Sequence, residues 1–171
     1  MSDYVNDPNF FTKSSQWVSN INYMHRTFKV HDAVKEMDVE KLRALLSFRV
    51  NFIREEFNEL VEATAEQNAE EVVDALIDLC VVAIGTLDLM GVDADKAWSE
   101  VHQANISKEP GVKPERPNPL GLPDLIKPEG WQAPSHEGNH GRLTEAFSPT
   151  EKEWDEGIRD WQLDMFHGDA E

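Results

Sequence analysis

Apolar residues recur every three or four positions through most of the first hundred residues, the period of helices packed along one side. Trp17, Ile21, Met24 and Phe28 mark the first such stretch, from about Ser15 to Val30. A second begins at Asp38, a residue type that caps helices well. It carries its stripe through Leu42, Leu45, Leu46, Arg49, Phe52, Ile53, Phe57 and Leu60 to near Glu66. The polar pair Gln67-Asn68 breaks the pattern, and a third helix is predicted from Ala69 to Met90, with Gly91 as its C-terminal stop. Asp93 is a good cap for a fourth, DADKAWSEVHQANISK, which ends before Pro110. No segment sustains the alternation of a half-buried strand, so strands are not expected to dominate. Four helices with short links predict an all-α fold, an antiparallel four-helix bundle.

The pattern changes after Lys108. EPGVKPERPNPLGLPDLIKPEGWQAPSHEGNHG holds most of the prolines and reads as an extended segment that wraps the bundle or moves freely. Ser148 and Pro149 then fit the start of a last helix, with Trp154, Ile158, Trp161 and Phe166 on one side. The expected organisation is a bundle over 15–108, a Pro/Gly-rich extension over 109–147, and an acidic terminal helix and tail over 148–171. The third helix is apolar around nearly its whole circumference, the signature of a buried helix, apart from a narrow strip bearing Glu71, Asp74 and Asp78. Apolar residues on several sides of so few helices predict that subunits complete one another's core.

Composition narrows the function. The chain of 171 residues fits one domain with an appendage, and its formal charge of -17 comes from 33 acids against 16 bases. Such a surface repels phosphate backbones, so no nucleic-acid partner is expected. The single cysteine, Cys80, lies in an apolar run and reads as a core residue, which excludes an intrachain disulfide framework. The N-terminus lacks the charged and apolar regions of a signal peptide. No apolar run reaches membrane-spanning length, since Asp74, Asp78 and Asp88 interrupt the best one. A cytoplasmic protein with no membrane partner is the expectation.

The acids themselves carry the candidate chemistry. In IREEFNELVEA, Glu55, Glu56 and Glu59 crowd one side of two turns, although like charges three or four apart repel by roughly 0.2–0.5 kcal/mol per pair. At about 100° per residue, Glu56 falls inside the apolar arc between Phe52 and Leu60, Glu59 lies close to Phe52, and Glu62 and Glu66 continue toward solvent. Glu71, Asp74 and Asp78 line the facing helix. Only Arg49 and Arg54 are basic between Phe48 and Met90, too few to neutralise these carboxylates. Unpaired buried carboxylates cost several kcal/mol each, so they need protons or cations. Oxygen-only ligands favour a hard ion, Mg²⁺ or Mn²⁺. A solvated acidic face is the plainer reading, and it is adopted for Glu62, Glu66 and Glu70.

E-E-x-x-E at Glu55, Glu56 and Glu59, followed by E-x-x-D at Glu71 and Asp74, resembles the all-α nucleoside triphosphate pyrophosphatase superfamily of MazG, dimeric dUTPases and phosphoribosyl-ATP pyrophosphohydrolases. The likeness runs from about Met24 to Lys108, through FRVNFIREEFNELVEA, VDALIDLCVVAIGTLDLMGVD and AWSEVHQANISK. It is greatest to stand-alone MazG-type enzymes, some carried by phages. The resemblance implies metal-dependent hydrolysis of a nucleoside triphosphate between the α and β phosphates, releasing monophosphate and pyrophosphate. By the same resemblance Glu56, Glu59, Glu71 and Asp74 would be metal ligands, with Asp78 a further ligand. Glu55 would hold an ion or orient the attacking water. Asn105 and Lys108 match an Asn and a Lys that meet sugar and phosphate in the family. Lys127 resembles a lysine that follows the domain in some relatives, and Arg116 is another candidate phosphate contact. Asn20, Asn22 and Tyr23 of the first helix are candidates for the base pocket, whereas Trp17 and Phe28 read as core. A homodimer or homotetramer is implied, and the phage-type likeness leans the substrate toward dGTP or GTP. Two alternatives stand beside this reading. One is phosphoribosyl-ATP as substrate, and the other is a non-catalytic acidic bundle that binds cations or a partner.

The histidines offer no stronger motif. None follows a glutamate by three within the bundle, as a di-iron carboxylate site requires. His25 and His102 read as core-edge residues or substrate contacts, and His136 and His140 fall in the irregular tail. No glycine-rich phosphate loop is present, and Gly85 reads as a point of close helix approach.

Overall fold

The computed structural model describes residues 16–113, 116 and 118–150. The helix expected after Ser148, with Trp154 and Trp161, lies outside them. The described chain is all-α, with α1 Gln16–Thr27, α2 Val30–Lys35, α3 Val39–Ala65, α4 Ala69–Leu89, α5 Ala94–Ile106 and the single turn α6 Leu143–Ala146. A two-stranded antiparallel ladder, β1 Glu109–Gly111 with β2 Asp124–Ile126, pins the start of the extension.

The caps anticipated from sequence form. Asp38 accepts from the Lys41 amide at 2.9 Å and Asp93 from the Lys96 amide at 2.9 Å, each satisfying a first-turn donor. At the α3–α4 corner Gln67 takes φ 58° and Asn68 caps α4. Gly91, at φ 71°, ends α4 in the left-handed conformation that a glycine reaches without a Cβ clash. The first predicted helix differs. It stops at Thr27 because Lys29 adopts φ 57°, ψ 27°, and the chain turns into the six-residue α2. Helical spacing continued through the turn, so periodicity did not reveal it.

α3 and α4 form the main antiparallel pair, and α1 lies along α4. α5 leaves α4 at 118° and packs against it sparsely. The core sits at one end of the pair, where Leu42, Val34, Leu89 and Ala146 cluster, with Met90 also fully covered. Ala146 belongs to the extension, so this part of that segment packs onto the core. Side chains of Asn139, Arg142 and Arg43 help to hold it. Asn139 brackets Asp93, accepting from its amide at 2.9 Å and donating to its carbonyl at 2.8 Å. Arg142 donates to the Val34 and Met37 carbonyls, each at 2.7 Å. Arg43 donates to the Ala146 carbonyl at 2.9 Å and to that of Ser148. Gly141 takes φ 52° against the Met90–Gly91 corner, where a Cβ would collide with the Met90 carbonyl oxygen.

The other end of the pair is open. α4 was expected to be buried all round, yet only Ala75, Val82, Gly85 and Leu89 are buried along it, and Val73, Leu76 and Ile77 face outward. Phe57 and Val61 do the same on α3, as do Trp17 on α1 and Phe28 in the turn after it, which were read as core. The described helices are too few to cover both sides of α4. Among the described residues no single helix is long and apolar enough to cross a membrane.

Candidate active site

The antiparallel pairing of α3 and α4 sets a ladder of facing side chains. Arg49 reaches across to α4, where its Nε donates to Thr86 Oγ1 at 3.0 Å and its Nη2 to the Val82 carbonyl at 2.7 Å. Gly85 makes room for this guanidinium, since a Cβ there would lie 3.0 Å from Arg49 Nη2 and 3.2 Å from the His25 ring. Two turns further along α3, Glu56 takes the equivalent inward position and is 8% exposed. Burial raises its pKa, and the charges of Glu59, Asp78, Glu55 and Asp74 raise it further. Those four acids come from both helices, Glu55 and Glu59 from α3 and Asp74 and Asp78 from α4.

The members differ in exposure. Glu55, Glu59, Glu71 and Asp74 are exposed, whereas Asp78 is half-buried. Glu71 lies one turn before Asp74 and is not among the charges acting on Glu56. Among the described residues no basic side chain pairs with Glu56. Arg49 is committed to α4, and Arg54 donates to Asn51 at 3.2 Å. The donor set is oxygen-only and lacks a counter-charge, which fits a hard divalent cation. The acids have not closed to one ion's shell, however. Among the described residues only His25, His31 and Asp88 bring three ligand atoms within 4.8 Å of one another. Mutual repulsion keeps uncompensated carboxylates apart, so closure of this group would need protons or a cation.

A second set forms where α5 meets the extension. Lys108 Nζ donates to Asn105 Oδ1 at 2.8 Å, joining two residues singled out from the sequence. The indole of Trp131 gathers the third, with Lys108 Nζ 5.3 Å and Lys127 Nζ 4.4 Å from its ring centroid. Trp131 is itself held by donation from Nε1 to the Ala104 carbonyl at 2.8 Å. Periodicity could not find this residue; its one signal was an aromatic in the Pro-rich stretch four positions after Lys127. Arg116 stands 3.7 Å from Asp124 instead and is exposed. Asn20 and Tyr23 are exposed on α1, whereas Asn22 is committed to Asp88, donating to Oδ1 at 2.7 Å. A cavity of about 320 Å³ beside β1, lined by Pro110, Val112, Leu122 and neighbouring backbone, holds none of these acids or lysines.

An all-α chain whose two longest helices face one another with carboxylates defines a class of helical, acid-lined domains. Residues 21–105 match the sequence model of the phosphoribosyl-ATP pyrophosphohydrolase family, and this domain belongs to the MazG-like nucleoside triphosphate pyrophosphohydrolase superfamily. The matched stretch runs from within α1 to the last turn of α5 and holds Glu55, Glu56, Glu59, Glu71, Asp74 and Asp78, whereas Lys108, Lys127 and Trp131 follow it. Comparison with curated proteins yields no match. Nucleotide pyrophosphohydrolase activity is what the family implies.

Proposed function

We propose that the protein hydrolyses a nucleoside or deoxynucleoside triphosphate between the α and β phosphates, consuming one water and leaving a monophosphate and pyrophosphate. The observation that carries this reading is Glu56, buried beside four further acids from α3 and α4 with no basic partner among the described residues. Such a group gains most from a ligand that arrives with divalent cations, as a triphosphate does. Glu56, Glu59, Asp74 and Asp78 would hold Mg²⁺ or Mn²⁺, with Glu71 reached from the next turn of α4. A bound ion of this kind supplies charge neutralisation and Lewis acidity toward phosphoryl oxygens. Glu55, exposed beside Glu56, would orient the attacking water. Lys108 and Lys127 would meet the leaving phosphates, with Asn105 fixing Lys108 and Trp131 fixing both lysines. The tryptophan makes the extension part of the site.

Exposed Phe57, Val61, Val73, Leu76 and Ile77 support a homo-oligomer in which a second subunit covers the open end. A purine substrate, dGTP or GTP, is the reading carried from sequence. Phosphoribosyl-ATP is the competing one, and the matched family favours it. Incubation with a panel of triphosphates and phosphoribosyl-ATP, with Mg²⁺ or Mn²⁺, tests both. The expected products are monophosphate and pyrophosphate from one of the substrates. Diphosphate with orthophosphate, or no turnover on any substrate, would overturn the proposal.

A further inference from the structure

Asp88, in the last turn of α4, takes no part in the site above, since it lies ten residues, or about 15 Å of helix, beyond Asp78. Its carboxylate is nearly covered, with 10% of the side chain exposed, and two imidazoles converge on one of its oxygens. His25 Nδ1 is 2.6 Å and His31 Nε2 2.7 Å from Asp88 Oδ2. The two rings stand edge to face at 79°, so their ligating nitrogens approach from different directions. Asn22 donates to the remaining oxygen, Oδ1, at 2.7 Å, which fixes the plane of the carboxylate. Three elements contribute: α1 supplies Asn22 and His25, α2 supplies His31 and α4 supplies Asp88.

We propose that His25, His31 and Asp88 form a second metal site, distinct from the acidic one, for a zinc-class transition-metal ion. Two imidazoles and one carboxylate form a donor set suited to zinc and its neighbours, whereas hard ions prefer the all-oxygen group between α3 and α4. Three protein ligands leave a fourth position for water. Asn22 stands where an outer partner of a ligating carboxylate stands. With metal–ligand bonds of about 2.0–2.1 Å, tetrahedral ligand atoms lie about 3.3 Å apart. The present separations are shorter, as expected of hydrogen bonds, so the ligands must part by about 0.6 Å to admit an ion. His31 can supply that movement. Its side chain is 29% exposed, and it rides on the six-residue α2, which hangs from the left-handed turn at Lys29. On binding, each imidazole presents a lone pair to the ion at the nitrogen that faces Asp88, and the proton held there moves to the other ring nitrogen or to solvent. The ion would tie α1 and α2 to α4, a structural role that needs no nucleotide.

Cobalt(II) is the probe, added to the full chain in saturating Mg²⁺ so that the acidic group is occupied. Uptake of one equivalent, with the strong visible absorption of a four-coordinate ion and a raised melting temperature, is expected. His31→Ala, at a partly exposed position that leaves the core intact, should weaken binding at least 10-fold, and Asn22→Ala by about 10- to 100-fold. Glu59→Gln should leave the cobalt signal unchanged, which separates this site from the hydrolytic one. Absence of the visible band in the parent protein would overturn the proposal, as would a band that survives His31→Ala or disappears in Glu59→Gln.

Discussion

The two ends of the α3–α4 pair are built from the same helices and differ in what completes them. At the Leu42 end the chain supplies every partner itself. Val34 from α2 and Ala146 from the extension close the apolar cluster, Arg49 finds Val82 and Thr86, and Asp88 accepts from three side chains. Burial alone would raise the Asp88 pKa, but donation from Asn22, His25 and His31 outweighs it and holds the group below the usual carboxylate value. At the Glu56 end apolar side chains are exposed and a buried carboxyl has only like charges around it. The contrast teaches where the described chain completes its own packing and where, on the proposed function, a second subunit and a charged ligand would complete it.

The largest effect should separate the ends by stability. Leu42→Ala is expected to lower the unfolding free energy by about 2–5 kcal/mol, because Leu42 is fully buried. Denaturant titration should show this loss at every protein concentration. Phe57→Ala should act differently, changing stability only where the protein is concentrated enough to associate. Sedimentation of the two variants checks the distinction, and equal, concentration-independent losses would erase it.

Arg142→Met should destabilise by about 2 kcal/mol, since the Val34 and Met37 carbonyls lose a charged donor. Limited proteolysis should then release the extension. A smaller effect is expected at the site's lysines. Lys127→Ala should raise KM for the triphosphate about 10-fold, equivalent to about 1.4 kcal/mol, with kcat little changed.

The smallest predicted effect concerns pH and has a definite sign. The folded pKa of Glu56 is raised, so its neutral form stabilises the metal-free protein fully below about pH 4.3, the unfolded-chain value. That contribution is lost as pH climbs through the raised folded value. Glu56→Gln should therefore flatten the decline over this window and make the metal-free protein more stable near neutrality. Thermal melts in chelator across pH provide the check, and parallel profiles would contradict the burial of an uncompensated carboxyl.

Legibility from sequence followed the range of the interactions. Caps and helix spans act within four residues, so Asp38, Asp93 and Gly91 announced them. Glu56 was legible because its place in an apolar arc follows from helical geometry alone. The turn at Lys29 was hidden, since neither neighbour breaks a helix. Asp88 was noticed only as an interruption of an apolar run, because its partners are 57 to 66 residues away. Likewise Asn139, Gly141 and Arg142 dock the extension through contacts with backbone that no local pattern encodes. The apolar circumference of α4 was visible, but its exposure in one chain was not, because periodicity does not say which chain supplies the cover.

The most direct test of the central claim is Mg²⁺-dependent hydrolysis by Glu59→Gln and Asp74→Asn, each shown by circular dichroism to retain the helical fold. With the acids of both helices acting together on Mg²⁺, each variant should lose about 100- to 1,000-fold in kcat/KM, and Mg²⁺ should no longer raise its melting temperature. Turnover and Mg²⁺ stabilisation matching the parent protein in both variants would show a solvated acidic face and contradict the account.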